Sequence, residues 1–417
     1  MSELIERHSE SVAREMLAYF PGLVIEGARQ VGKSTLARQL VADRDALYVT
    51  LDDDDTRDAA VADPAGFLKR AGEAMMVIDE IQRLPELSLA VKASIDQDRR
   101  VGRFILTGSA SLLRVRGLAD SLAGRVGRLD LYGLSQGEIA GVLDDFPAAA
   151  MHLEDLVDGW ASDETDYAAA IATGSYPEVT ALPPRMRRRW FDGYLAGVVR
   201  RDLGELRKEV SPARVESLLR ALAGTQSGEL VKSKLATTTS IPASTITSYL
   251  DLLADVGLVS TLAPWTPNLR KREVGRRKAL VTDSGLALHL ARVTVEQLGQ
   301  IAYRETYGAM LEGLVAAELL KQQTWTSAEF DLYHFRDRNG LEIDLVLEFA
   351  GGRVLAIEVK ASTSFKGDQF NVLRALRDEL GDRFIGGIVL NTGEKSYRYA
   401  DRLYGLPISS LWRATSG

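Results

Sequence analysis

The chain has 417 residues, of which 46% are hydrophobic and 26% charged, with a formal net charge of −7. That length exceeds one ordinary domain and that apolar fraction supports real cores, so a disordered chain is excluded. Cysteine is absent, which excludes a disulfide framework, thiolate metal sites and a cysteine nucleophile, and suits a reducing cytoplasm. The opening stretch MSELIERHSESVAREML lacks the basic start and apolar core of a signal peptide. No run is long enough to span a bilayer, so a cytoplasmic protein is expected.

Residues 3–19 read as an amphipathic helix leading into Leu23-Val24-Ile25, an apolar run with the character of a buried parallel strand. Gly27-Ala28-Arg29-Gln30-Val31-Gly32-Lys33-Ser34 follows at once and fits G-x-x-x-x-G-K-[ST], and Thr35 to Leu40 continue as good helix. Strand, glycine-rich loop and helix together are the context that turns this pattern into a phosphate cradle. Gly27 and Gly32 let backbone N–H groups turn inward, and the helix N-terminus adds positive potential. Gly27 to Thr35 are therefore the expected nucleotide contacts, with Lys33 on the β- and γ-phosphates and Ser34 ligating Mg²⁺. Ala46 to Leu51 read as a second strand. Asp52 to Asp55 after it are either a solvated turn or, through Asp52, a group facing the pocket, since ligands gather at carboxyl strand ends.

Met75-Met76-Val77-Ile78 is an apolar strand ending in Asp79-Glu80. Asp79 is expected to hold Mg²⁺ through water, and Glu80 to orient or deprotonate the attacking water, which implies hydrolysis rather than binding alone. Phe104 to Ser109 form another short strand with a polar end. Thr107 or Ser109 there is a candidate sensor of the γ-phosphate, the bland alternative being a strand-end turn. In Ser121-Leu122-Ala123-Gly124-Arg125 and just beyond, Arg125 or Arg128 is either a finger reaching a neighbouring subunit's nucleotide or an arginine on a solvated helix end.

GARQVGKS, VIDEIQRLPEL, ILTGSASLL and SLAGR together resemble a large prokaryotic family of AAA-type ATPases, and the likeness continues through TGSYPEV (173–179) and Tyr194 to Asp202 to the C-terminal motifs. The resemblance implies an ATP- and Mg²⁺-dependent homo-oligomer, a hexameric ring being one form, with a C-terminal domain of restriction-endonuclease-like character.

Residues 134–209 are helical by period and suit the lid that follows such a core. Arg185, Arg187, Arg188, Arg189, Arg200 and Arg201 are candidates for a lid arginine touching nucleotide, or form a solvated basic face. Leu230 to Leu235 open one helix, Thr237 to Ser240 read as a polar turn, Ser244 to Val256 as a second helix and Gly257 to Leu262 as a strand, an order that resembles a winged helix. Ser244, Thr245, Thr247 and Ser248 at the exposed start of that second helix suit phosphate and base-edge contact, although winged helices also serve as protein-interaction modules. Arg270, Lys271, Arg272, Arg276, Arg277 and Lys278 then cluster within nine residues. Such a cluster is a plausible DNA phosphate footprint, or else a solvated hairpin.

A second chemical centre follows. Tyr307 to Gln322 is a helix bearing Glu312, Leu332 to Phe335 a strand, Asn339-Gly340 a hairpin signal, Glu342 to Leu347 a strand, and Val354 to Lys360 another. The period of two places Glu358 and Lys360 on one strand face. Asp344, Glu358 and Lys360 resemble the PD-(D/E)xK nuclease core, with Glu-Ile-Asp at 342–344 in place of Pro-Asp. That resemblance implies Mg²⁺ on Asp344 and Glu358, completed by Glu312, and a Lys360 that positions water or stabilises charge. A salt-bridged strand pair and a domain that holds DNA without cutting are the alternatives. Asp368 to Leu380 read as helix, with Gln369 near the site, Ile385 to Leu390 as a strand and Ile408 to Leu411 as a last edge strand. The histidines His8, His152, His289 and His334 are not spaced as metal pairs.

The expected architecture is thus α/β: a P-loop NTPase core of AAA type (1–133), a helical lid (134–210), a winged-helix-like middle domain (211–280) and a restriction-endonuclease-like α/β C-terminal domain (281–417). The expected function is an ATP-hydrolysing enzyme that remodels or cleaves DNA. The rival is a nucleotide-switched regulator whose C-terminal domain docks DNA or protein without cutting.

Overall fold

The computed structural model describes residues 4–108, 122–160, 164–199, 203, 211–266, 275–337 and 340–413. Ser109, Ser121, Arg200, Arg201, Arg270, Lys271, Arg272 and Asn339 lie outside these residues. The chain forms two compact units, one of residues 1–134 with 255–257, the other of residues 135–254 with 258–417.

In the first unit the helix Ser9–Tyr19 precedes five parallel strands: β1 (Gly22–Glu26), β2 (Ala46–Thr50), β3 (Met75–Asp79), β4 (Phe104–Gly108) and β5 (Val126–Asp130), in the order β2-β3-β4-β1-β5. Every residue of β1, β3 and β4 is buried. This is why these strands read as unbroken apolar runs: helices cover both faces of a parallel sheet. On one face Val24, Val49, Ile78 and Leu106 pack with Leu87, Val91 and Ile95 of the helix Leu87–Gln97. The edge strand β5, Val-Gly-Arg-Leu-Asp, buries only alternate residues. Its charged residues hid it in the sequence, where Arg128 was expected at a finger position. The strand instead pairs with β1, Val24 opposite Arg128.

In the second unit, residues that the sequence divides between middle and C-terminal domains share one nine-stranded sheet. Its further strands are β6 (Gly228–Glu229), β7 (Val259–Pro264), β8 (Lys278–Val281), β9 (Phe330–Arg336), β10 (Glu342–Phe349), β11 (Arg353–Lys360), β12 (Phe384–Asn391), β13 (Tyr397–Ala400) and β14 (Leu403–Pro407), in the order β13-β14-β12-β11-β10-β9-β7-β8-β6. The parallel pairing of β7 with β9 joins the middle segment to the C-terminal one. β11, β12 and β14 run parallel, so their carboxyl ends lie on one side. The helix Arg304–Gln322 packs against β11, and the helix Asn371–Leu380 against β12, where Leu373, Leu376 and Leu380 meet Val354, Ala356 and Val389.

Two local expectations are corrected. Thr237-Thr238-Thr239 is not a turn but the end of the helix Lys232–Thr239. Each hydroxyl donates to the carbonyl four residues back, at 3.1, 3.0 and 2.7 Å, which satisfies the side chain without leaving the helix. Ile408 to Leu411 is not an edge strand: Ser410–Arg413 is a short helix, and β13 and β14 form the edge. Ile408 and Leu411 are fully buried, and a short apolar run is compatible with either buried state.

Candidate functional site

The first site is built at the carboxyl ends of β1, β3 and β4. β1 delivers the chain into the loop Gly27 to Gly32, and the helix Lys33–Leu40 begins directly after it. A Cβ at Gly27 would lie 2.0 Å from the Leu131 carbonyl oxygen, so the loop passes too close to the next backbone for any side chain. Gly32 has φ 102°, a left-handed conformation that turns the chain into the helix. Arg7 braces the loop from outside: it donates to the Val31 carbonyl at 2.9 Å and to that of Tyr132 at 2.8 Å. Lys33 is buried, and its ammonium donates to the Gly27 and Ala28 carbonyls at 3.1 and 2.8 Å.

Asp79, buried at the end of β3, is the hub. Ser34 Oγ donates to its Oδ1 at 2.9 Å, and the fully buried Thr107 hydroxyl donates to the same oxygen in a short hydrogen bond. The Glu80 backbone N–H donates to Thr107 Oγ1 at 3.2 Å. Glu80 itself has φ 59°, so the chain turns sharply after β3, and Gln82 Nε2 donates to its carboxylate. The sequence residues Lys33, Ser34, Asp79, Glu80 and Thr107 are thus brought to one place. Thr107, a candidate phosphate sensor together with Ser109, has a hydroxyl that bridges the Asp79 carboxylate and the Glu80 backbone.

Asp52 is drawn aside by Arg83, whose Nε lies 2.9 Å from its Oδ1. Arg125 is held by Asp96 through two hydrogen bonds of 2.8 and 3.0 Å, and Arg128 lies 2.7 Å from the buried Glu26. Both expected finger candidates therefore carry acidic partners in their own chain. Tyr48 was missed; burial and the neighbouring Asp79 carboxylate push its phenol above the ordinary range.

The second centre lies in the other unit, where β9, β10 and β11 lie side by side and β8 follows across β7. Between Ile343 and Val346 the pairing of β10 with β9 slips by one residue, a bulge of the kind that re-aims a side chain. Asp344 sits in it. Its Oδ2 accepts from the Val359 N–H at 2.8 Å, just beyond the last β10–β11 pair, Leu345 with Ile357. Lys360 pairs with Glu358 through a short hydrogen bond. Burial and then Asp344 push Glu358 up to about 7, while Lys360 is raised by Glu358 and Asp344 against the opposing effect of burial. Burial and Asp344 also raise Glu312 well above the carboxylate range.

Asp344, Glu358 and Lys360 therefore meet as expected, but the set expected to hold Mg²⁺ also contains a fixed cation. Lys278 Nζ lies 2.8 Å from Glu312, 2.8 Å from Glu342 and 3.7 Å from Asp344, and the side chain is 2% exposed. Burial opposes its charge, but these carboxylates outweigh that and raise its pKa. This corrects two readings. Lys278 is not part of a surface phosphate footprint, because β8 turns it inward. Glu312 is not free to complete a metal shell, because Lys278 takes its carboxylate. Among the described residues no group of three histidines or acids is placed to hold a metal ion. Lys278 was visible only as one cation in a basic run. Nearby, Arg277 donates to Thr261 Oγ1 at 3.0 Å and Arg276 lies 3.7 Å from Glu229. In the helix Ala243–Asp255, Ser244, Thr245 and Thr247 are exposed.

Comparisons with known proteins agree with the first unit. Residues 20–140 match the family model described as an AAA domain. Residues 164–297 and 307–411 match two models described as domains of unknown function, DUF8612 and DUF4143. Over 412 residues the chain is 28% identical to an uncharacterised protein of Mycobacterium bovis and to one of Mycobacterium tuberculosis, covering 98% of this chain and 85% of each relative. Among solved structures it is similar to a Walker-type ATPase of Pyrococcus abyssi, at 18% identity over 69% of this chain and 96% of that one, with a TM-score of 0.43. It is also similar to AMPPCP-bound DnaA from Aquifex aeolicus, at 10% identity over 59% and 85%, with a TM-score of 0.30. Scores this low carry neither fold nor function across. No helix among the described residues is long and apolar enough to cross a membrane. The AAA-domain match over residues 20–140 agrees with the α/β P-loop NTPase core formed by the five-stranded parallel sheet and its glycine-rich loop.

Proposed function

We propose that the first unit binds and hydrolyses ATP and that the chain uses this turnover to act on DNA. The observation that carries the hydrolytic reading is the hydrogen-bonded set of Ser34, Asp79, Thr107 and Glu80 beside the loop of Lys33. Loop N–H groups and the Lys33 ammonium would hold the phosphates. Ser34 and Asp79 offer a hydroxyl and a carboxylate 2.9 Å apart, hard oxygen donors that suit Mg²⁺. When bound there, the ion would neutralise phosphate charge. Thr107 fixes Asp79 and the backbone of Glu80, and the Glu80 carboxylate would orient the attacking water.

The test is ATP hydrolysis by wild type, Lys33→Ala and Glu80→Gln, with and without DNA. Lys33→Ala should lose most nucleotide binding. Glu80→Gln should keep binding and lose turnover; hydrolysis at the wild-type rate in that variant would remove Glu80 from the reaction. Stimulation of the wild type by DNA supports the coupling.

For the second unit we favour holding DNA over cutting it. Lys278 among Glu312, Glu342 and Asp344 supports this reading, because a fixed ammonium already balances the carboxylates that Mg²⁺-dependent cleavage would need. The winged-helix-like order of the helices Lys232–Thr239 and Ala243–Asp255 with β6, β7 and β8, and the hydroxyl-rich start of the second helix, supply further DNA-facing chemistry. DNA cleaved by wild type with Mg²⁺, and not by Asp344→Ala, would overturn this preference in favour of a nuclease.

A further inference from the structure

Beyond the carboxylate centre, the ends of β11 and β12 enclose a second feature. The chain leaves β11 at Lys360 and β12 at Asn391, which are register partners. The two following loops are tied together: the Thr392 N–H donates to the Ser362 carbonyl at 3.0 Å. A Cβ on Gly393 would lie 2.6 Å from the Thr363 carbonyl oxygen, so glycine is required for the loops to approach so closely. β13 forms another wall. Between these parts lies a cavity of about 610 Å³ whose lining includes Phe365, Phe370, Tyr397, Tyr399, Lys366 and Lys395.

The aromatic side chains are arranged by face. Tyr399 stacks on the fully buried Phe370, with centroids 4.2 Å apart and planes 6° apart. Phe365 and Tyr397 lie nearly parallel, at 15° with centroids 6.2 Å apart. Phe365 is anchored over the backbone of Gly405, where a Cβ would come within 2.6 Å of its ring. Tyr397 is 50% exposed, so part of its ring stays open to solvent. Behind the loops Asn391 is fully buried; its Oδ1 accepts from the Gly393 N–H at 3.0 Å, while its Nδ2 donor has no hydrogen-bond partner.

Parallel aromatic faces favour a flat ring over an aliphatic chain, and lysines at the mouth favour an anion attached to that ring. The volume is that of an ordinary small-ligand pocket. Glu394 is the acid in the lining, and two lysines outweigh it. A base carrying a phosphate meets all of these features.

We propose that this cavity holds one nucleotide of single-stranded DNA, its base stacked on Tyr397 and Phe365 and its phosphate at Lys366 and Lys395. The proposal rests on the reading that the second unit holds DNA, and adds that the strand it holds is unpaired at this point.

The experiment measures the affinity of the full chain for a fluorescent oligodeoxythymidine and for a blunt duplex, by anisotropy. A second probe carries 2-aminopurine at its 3′ end, whose fluorescence falls when it stacks. The wild type should prefer the single strand and quench the 2-aminopurine. Tyr397→Ala, at an exposed position that should still fold, should lose roughly 10-fold or more in single-strand affinity and lose the quench. Tyr397→Phe should retain both, since it keeps the ring. Lys366→Ala should weaken binding and reduce its salt dependence. Duplex binding with no single-strand preference and no effect of Tyr397→Ala would overturn the pocket while leaving DNA as the partner. No binding of either form would remove both. Displacement of the strand by thymidine 5′-monophosphate at concentrations near the strand's own Kd would also overturn it, in favour of a free-nucleotide site.

Discussion

Asp79 Oδ1 receives two hydroxyl donors, from Ser34 and Thr107, and this convergence decides what single substitutions in the first site should do. Thr107→Val keeps shape and burial but removes the donor to Asp79 and the acceptor of the Glu80 N–H. A buried hydrogen bond to a charged group is worth about 1.5–3 kcal/mol. Turnover should therefore fall by roughly 10- to 100-fold, while nucleotide affinity changes only a few-fold; single-turnover hydrolysis and equilibrium nucleotide binding separate the two. Gly27→Ala acts differently. Its new methyl would meet the Leu131 carbonyl oxygen, so the loop must move. Loss of nucleotide binding and a clear fall in Tm are expected, and a variant with wild-type affinity would contradict the close approach.

At the scale of elements, β8 and β9 set the chemistry of the second unit. Lys278 on β8 balances Glu312 and Glu342, so Lys278→Met leaves these partly buried carboxylates without their cation. Breaking a buried pair from one side costs about 3–5 kcal/mol, and chemical unfolding should show a loss of that order. On β9, His334 is buried; its Nε2 donates to the Arg276 carbonyl at 2.9 Å, and its Nδ1 has no partner. Burial first, and then Lys278, hold its pKa down to about 4 from an ordinary 6.5. The folded chain thus prefers the neutral ring. Its contribution is fully present above about 6.5 and is lost as pH falls toward 4, because the unfolded chain takes up the proton first. Over that window the slope from this residue approaches ~1.4 kcal/mol per pH unit. His334→Gln should remove it, so the stability difference between wild type and variant should shrink as the pH is lowered from 7 to about 4.

At the scale of the whole molecule, arginines bear on assembly and on DNA affinity. Arg125 is bound by Asp96 of its own chain, yet both side chains are partly exposed, at 22% and 39%, so the pair can exchange partners at modest cost. If Arg125 serves a neighbour's nucleotide, subunits carrying Arg125→Ala mixed with subunits carrying Glu80→Gln should regain activity, since a finger is worth about 10³–10⁵ in rate. A co-assembled mixture with no rescue, beside a fully active Arg125→Ala protein, would exclude it. For DNA, the basic stretch from Arg270 to Arg277 should contribute salt-dependent affinity, with a slope of about −0.9 per phosphate contact on duplex. Replacing Arg270, Lys271 and Arg272 with alanine should flatten that slope. Lys278, buried among carboxylates, should not contribute to it.

The nucleotide core was legible because its chemistry is local. Gly27, Gly32, Lys33 and Ser34 lie within eight residues, in one loop and the first turn of its helix, and β1, β3 and β4 are buried on both faces, so each appears as an apolar run. Asp344, Glu358 and Lys360 were legible for a similar reason, since a hairpin and the two-residue period of a strand bring them together. Other features depended on partners far apart in sequence. Lys278 looks like its basic neighbours until β8 pairs with β7 and β6 and carries it inward to Glu312 and Glu342. β5 was hidden by Arg128 and Asp130, and became recognisable only through its pairing with β1 and the buried Glu26. The aromatic pocket joins residues from two loops and an edge hairpin that leave no motif. The chain by itself determined where the glycine-rich loop and its helix lie, because a loop's geometry is set by its own residues. Which cation lies among the second set of acids was decided by tertiary pairing, because burial and charge balance are properties of the assembled sheet.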